Sequence, residues 1–361
     1  MIIDNIIFKS RLDKYFNGEF NLHSEPMLTL VPNITIYDDY KSKSEVKSFN
    51  DVKFRIEPEG PQSFTVHQIG VCGNQIINIT HKMLSYFTLV NNNWTYGHNE
   101  INKIYNNIQN SSIFEMVDEE VFQFFDCFPY APVHNLDDTY NLLYSYVKSG
   151  LTCKLLVLKT DNYYYNQTIN SLKEYFNLEY FYLEPHKNYK FKKFNCVRQY
   201  HWIQNDALSF IHDNYIKKIC NKIIDKPTYD NICLIKTVHP TNTSTVDTFN
   251  ITNNFSNILK EKNIFNLDNI RDDLEYKIYL VNNAKNIIIS YLSPFNVNIH
   301  KHCVKTDDKN FIILNGGYGG SIIPHFTKLL DNKYNFYGRE INGVLIDNKI
   351  SLDDLNSFIN F

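Results

Sequence analysis

The stretch PYAPVHNLDDTYNLLYSY, residues 129–146, sets one histidine and two adjacent aspartates, His134, Asp137 and Asp138, at the entry to an amphipathic run. Two readings of this trio are open. As structure, the aspartates cap the free N–H groups of a helix over about 136–148 and sit well at the positive end of its dipole. As chemistry, His134 is a general base whose tautomer Asp138 holds. Imidazole exchanges protons near neutral pH, and a neighbouring carboxylate raises its basicity.

Other segments carry groups suited to phosphate. Lys236 closes the apolar stretch NICLIK. Open α/β sheets bind ligands at the carboxyl ends of their strands, so a lysine there can meet a diphosphate, or simply be solvated. The segment NGGYGGS (315–321), with Gly317 and Gly319, follows another apolar stretch. Its backbone N–H groups suit a pyrophosphate, and a plain glycine turn explains it equally well. It is neither a P-loop nor G-x-G-x-x-G, which removes the main support for a kinase or a dehydrogenase. No G-x-S-x-G elbow supports a hydrolase.

NIHKHC offers His300, His302 and Cys303, but no second ligand cluster accompanies them. The expectation is a partly exposed loop and no bound metal. The basic, aromatic stretch NYKFKKFNCVRQYHW (188–202) can stack on bases or sugars or bind an anion. As an edge strand with its lysines turned outward, it needs no ligand at all.

These residues have to be held by a scaffold. Residues 27–96 read as short β-branched strands bounded by Pro, Gly and Asn, and EINKIYNNIQN and DEEVFQFFDCF carry helical spacing. From residue 129 onward helices and apolar strands alternate, which implies parallel strands with crossover helices. The alternation runs through CKLLVLK, NQTINSLKEYFN and LEYFYLE to the long amphipathic helix 205–224. A fresh series then begins, with NICLIK, IFNL, KNIIISYL and KNFIILNGG as strands and SLDDLNSFIN as a last helix. The fold expected is α/β, with two Rossmann-like domains facing a cleft and a β-rich N-terminal segment. Residues 1–225 form the first domain with that segment, and 226–361 form the second.

A chain of 361 residues with 43% hydrophobic and 21% charged residues is globular and long enough for two cores. Its net charge of −3 argues against a protein built to grip nucleic acid. Seven scattered cysteines, none in a C-x-x-C, read as reduced buried thiols of a cytoplasmic protein. The first residues make a poor signal peptide, and no apolar run is long enough to span a bilayer.

Two of these segments together resemble the family 61 glycosyltransferases, which also occur in polysaccharide and capsule gene sets. Their first motif is similar to G-H-W-L-x-D before an apolar helix. Here VHNLDDTYNLL keeps the histidine at 134, an aliphatic residue at Leu136 and the aspartate at 138, without the Gly and Trp. Their second motif runs from a strand ending in Arg to a strand and loop like vvIxxHGAxLxN. Residues 231–298 resemble that order, with Ala284 at a helix end, Ser290 at a strand end and Asn298 as the terminal Asn. Lys236 stands where the family has Arg, and Leu292 and Ser293 stand where it has His-Gly.

The resemblance implies a GT-B-like fold and a metal-independent, inverting transfer of a sugar from a nucleotide-sugar donor to a hydroxyl of a glycan acceptor. The absence of a D-x-D motif accords with that. His134 would be the base and Asp138 its orienting partner. Lys236 would sit at the diphosphate, with Ser290, Ser293, Asn296 and Asn298 lining the donor loop and Asp268 contacting ribose or base. No cofactor is implied beyond the donor itself, and a homo-oligomer is left open. The alternatives are a non-catalytic glycan- or nucleotide-binding protein on the same scaffold, and an anion-binding module using 188–202.

Overall fold

A computed structural model describes residues 35–36, 46–58, 66–73, 75–79, 103–125, 129–130, 132–197, 205–234, 259–270, 273–290, 299–305, 309–314, 334–337, 340–341 and 344–345. It is mixed α/β and divides between Leu208 and Ser209 into two compact units. The division falls inside the long helix expected at 205–224, whereas sequence alone put the boundary after residue 225.

The first unit carries strands β1 (Thr35–Ile36), β2 (Val46–Pro58), β3 (Val66–Cys72), β4 (Gln75–Ile79), β5 (Glu115–Gln123), β6 (Lys154–Leu158), β7 (Tyr180–Leu183) and β8 (Asn188–Val197). They form one eight-stranded sheet in the order β1–β4–β3–β2–β8–β5–β6–β7. The β-rich segment is therefore continuous with the parallel part of the sheet. From β4 to β8 the pairing is antiparallel, and from β8 to β7 it is parallel. Helices α1 (103–109), α2 (Pro132–Lys148) and α3 (Tyr163–Phe176) accompany it.

Local chemistry sets these helices. In α2 the buried Leu136, Tyr140 and Leu143 recur at helical spacing, and Tyr146 meets Phe122 of β5 edge on, with ring centroids 5.4 Å apart. In α3 the side chain of Asn162 accepts the N–H of Tyr165 at 3.0 Å. Asn177 ends that helix in the left-handed conformation, which asparagine tolerates better than most residues.

Two expectations need correction. DEEVFQFFDCF was expected to be helical, yet Glu115–Gln123 is strand β5. The spacing of Val117 and Val121 imitates a helix because a bulge between Val117 and Glu120 shifts the alternation. Residues Val121–Phe125 are buried throughout, as a strand covered on both faces requires. Likewise 188–197 is not an edge strand. β8 lies inside the sheet, paired with β2 on one side and β5 on the other. Its Lys193 and Lys190 reach Glu120 (2.7 Å) and Asp51 (3.5 Å) on those neighbours. Tyr189, Phe191 and Phe194 are buried in the core, so they are not surfaces for stacking on a base or a sugar. The sheet curls strongly, since Phe181 of β7 meets both Tyr189 and Phe191 of β8 at centroid distances of 6.0 and 6.1 Å.

The second unit holds a parallel sheet of β9 (Asn231–Leu234), β10 (Ile264–Asn266), β11 (Asn286–Ser290), β12 (Asn310–Leu314) and β13 (Tyr334–Tyr337). A short antiparallel hairpin, β14 (Glu340–Ile341) and β15 (Val344–Leu345), follows in sequence. The order β10–β9–β11–β12–β13 places the unit's first strand between its second and third. β13 was missed in the sequence, and the last expected helix, 351–360, lies outside the described residues. Helix α4 (Asn205–Ile211) passes through a π-helical turn (His212–Ile216) into α5 (Lys217–Lys222). Helix α6 (Leu274–Asn283) is capped by Asp273, whose carboxylate accepts the N–H of Tyr276 at 2.9 Å. Tyr279, Leu280 and Val281 of α6 pack on Ile232, Ile287 and Cys303 to make the core.

Candidate functional site

The helix bearing His134 starts earlier than the sequence suggested. It begins at Pro132, whose fixed φ and missing N–H suit the first helical position. There is no acidic residue in its first turn. Asp137 and Asp138 thus lie in the second turn and do not cap the helix, which overturns the structural half of the first reading. His134 and Asp138 are four residues apart within one helix. The Asp138 side chain is 4% exposed. On the turns beside it Thr139 donates to Asn135 Oδ1 at 2.8 Å, both buried.

The chain enters this helix from the carboxyl end of β5, where polar groups gather. Gln123 and Gln68 both donate through Nε2 to the carbonyl of Phe125, at 2.9 and 3.5 Å. The neighbouring strand ends similarly. The N–H of Leu158 donates to the phenol of Tyr165 at 2.9 Å, and Tyr130 packs edge on against that ring. Burial raises the Tyr165 phenol far above its ordinary value, with Tyr130 and Tyr182 adding to the shift.

In the second unit the candidate donor residues all follow strand carboxyl ends. Leu234 of β9 pairs with Ile289 of β11, and Ser290 pairs with Leu314 of β12. Three strand ends therefore stand side by side. In the sequence, Lys236 follows the first, Ser293, Asn296 and Asn298 follow the second, and Gly317 and Gly319 follow the third. Those six residues lie outside the described residues. Asp268 belongs to the 3-10 turn Leu267–Ile270 that directly follows β10. The strand order reverses between β9 and β11, and open parallel sheets bind ligands at such a reversal. The ends expected at Ala284 and Ser290 are an observed helix cap and an observed strand end.

The NIHKHC segment is not a partly exposed loop. Ile299–His302 is a 3-10 turn, and Lys301, His302 and Cys303 are all buried. His212, in the π turn, donates through Nε2 to Lys301 O at 2.7 Å. Asn282 donates to His302 O at 2.6 Å and accepts from Val304 N at 2.9 Å. Lys309 then donates to the carbonyls of Asn282 (2.8 Å) and Ala284 (2.7 Å), where the negative end of the α6 dipole welcomes a cation. Among the described residues no three His, Cys, Asp or Glu side chains form a metal-holding group. No described helix is long and apolar enough to cross a membrane.

Burial pushes the His302 imidazole down to about 3, with His212 and Lys301 adding repulsion, and burial lowers His212 as well. An unfolded histidine titrates near ~6.5. Between those values the unfolded chain binds the proton and the folded chain does not, so stability is complete above about 6.5 and is lost as the pH falls. Wild type should lose on the order of 2 kcal/mol between pH 6.5 and 5 through His302 alone. Urea unfolding of His302→Asn at both pH values should show a correspondingly flatter dependence. Equal slopes would refute the assignment.

A second constellation also escaped the sequence. Glu57 accepts from Arg55 Nε at 2.6 Å and lies against His186 Nδ1, while Arg55 NH1 donates to Asn188 Oδ1 at 3.0 Å. His186 has a φ of 65° and donates its N–H to Ile56 O at 3.0 Å. Its members come from β2 and the β7–β8 turn, so no local spacing links them. No protein-family model matches the chain, and no curated protein matches it.

Proposed function

We propose that this chain is a glycosyltransferase of GT-B type, moving a sugar from a nucleotide-sugar donor to a hydroxyl of a glycan acceptor with inversion. The observation that carries this reading is the reversed strand order of the second parallel sheet, whose adjoining strand ends lead into Lys236 and into 290–298. That unit takes the donor. Lys236 and the backbone amides around Gly317 and Gly319 bear the diphosphate charge, and the Ser290, Ser293, Asn296 and Asn298 segment lines the sugar. Asp268 meets ribose or base.

The first unit supplies the acceptor site and the base. His134 takes the proton of the acceptor hydroxyl as its oxygen bonds to the anomeric carbon. The bond from that carbon to the diphosphate oxygen breaks with its electron pair, and a nucleoside diphosphate leaves. Asp138 orients the imidazole and offsets the charge it gains.

A second reading, a nucleotide- or glycan-binding protein without turnover, is favoured by the departures from the family pattern at Lys236, Leu292 and Ser293. Titration of the full-length protein with UDP-, GDP- and CMP-sugars, alongside assay of nucleotide release, separates the two. One donor should bind and be slowly hydrolysed, and Lys236→Ala should weaken its binding by roughly ten- to a hundredfold, as loss of a charge-assisted bond does. Binding without turnover, even with acceptors supplied, would favour the second reading. If no donor binds, both fail.

A further inference from the structure

Tyr130, Tyr163 and Tyr182 stand at or shortly after the carboxyl ends of β5, β6 and β7, three adjacent parallel strands, and we propose that they form the subsite for a neutral oligosaccharide. The choice of ligand rests on the transferase reading. The platform itself rests on geometry. Tyr163 and Tyr182 are the exposed rings of this edge, 39% and 48% accessible. Tyr182 stands edge on to Tyr180 at 6.3 Å and Tyr163 edge on to Tyr164 at 5.8 Å. Tyr130 packs edge on against the buried Tyr165, and Tyr182 pairs with Val157, next to the Leu158 whose N–H donates to the Tyr165 hydroxyl, which ties both rings to the strand ends. Tyr130 precedes His134 by four positions in sequence.

The loop beneath the rings is hydrogen-bonded to itself. Asn166 donates to Thr160 O at 2.7 Å, Asn162 N–H donates to Thr160 Oγ1 at 3.1 Å, and Gln167 Nε2 donates to the Tyr163 hydroxyl. The loop after β6 is thus held by its own side chains, and the rings need little ordering when a ligand arrives. A pyranose presents a face of C–H bonds to the negative face of an aromatic ring and hydroxyls at its edge to phenols and amides.

Charge decides against an anionic partner. Glu184 is matched by Lys159 at 3.1 Å and Lys187 at 2.8 Å, and these lysines hold its carboxyl below the ordinary range. Asp161 is exposed on the same loop, with Glu115 3.7 Å from Lys187. The rim therefore presents no surplus positive charge to a phosphate backbone or a uronate chain.

The test is calorimetric titration of the full-length protein, without donor, with cellohexaose, xylohexaose, mannohexaose and laminarihexaose. At least one should bind, Tyr182→Ala and Tyr163→Ala should each weaken it at least tenfold, and Tyr182→Phe should retain most of the affinity. No binding to any of the four, or equal binding by both alanine variants, would overturn the inference. So would self-association of wild type abolished by Tyr182→Ala, which would make this edge a contact between copies. Tyrosine-dependent sugar binding in a protein that hydrolyses no donor would keep the subsite and reject the transferase. Donor hydrolysis with tyrosine-independent binding would do the reverse.

Discussion

Replacing His134 by alanine should lower transfer to a saccharide acceptor by roughly 10²–10⁴-fold and leave donor affinity within about twofold, the usual worth of a positioned general base. In the proposed mechanism the proton to be removed belongs to the acceptor and other residues hold the donor's diphosphate, so the loss should fall on turnover rather than on donor binding. Asp138→Asn should cost less, since the amide keeps the shape but not the charge that steadies a protonated imidazole. Rates measured across pH distinguish a base from a merely structural residue. In wild type the rate should fall on the acid side, and in His134→Ala that limb should flatten. A variant that turns over like wild type would remove His134 from the mechanism. One that loses donor binding in parallel would point to a folding role for the start of α2.

The largest stability effect is expected at Phe191. Its ring is fully buried, 6.0 Å from Phe54, 5.7 Å from Phe194 and stacked on Tyr189 at 5.8 Å. Phe191→Ala should cost about 3–5 kcal/mol, combining lost transfer energy with a cavity that a curled sheet closes poorly. That is a large part of the ~5–15 kcal/mol that holds a typical domain folded. Phe191→Leu should cost much less, because most of the volume is retained. Urea denaturation followed by circular dichroism measures both. A loss below about 1 kcal/mol for the alanine variant would show that the packing around this ring is not a single tight core.

The second sheet was largely legible in the sequence, because most of its parallel strands centre on a short apolar run, such as III in NIIIS or FIIL in NFIIL, bounded by polar residues. β13 broke that rule: Tyr334–Tyr337 reads as a polar turn with aromatics, and only its neighbour β12 makes it a strand. In the first unit β5 was lost to a helical spacing that a bulge creates. β8 was misplaced because its lysines look solvated, while in the sheet they meet carboxylates on adjacent strands. The candidate site stands differently. His134, Asp138 and Lys236 are named only from local patterns at a helix start and a strand end, and Lys236 lies outside the described residues. The buried bonds around Asn282 and Lys309, and the Arg55–Glu57–His186 set, join residues far apart in sequence that carry no motif.

The place of β8 between β2 and β5 also fixes a timetable for synthesis. Residues 46–55 pair with 188–197, and β5 joins the remaining edge of the same strand. Until residue 197 has left the ribosome, the β2–β4 strands wait with an open edge, for on the order of ten seconds at usual elongation rates, and β5–β7 join them for the last part of that interval. Such edges invite pairing with other nascent chains. Expression halted before residue 188 should therefore yield aggregates rather than a smaller folded domain. Slow stretches of message, or a chaperone, matter most in the interval between β5 and β8.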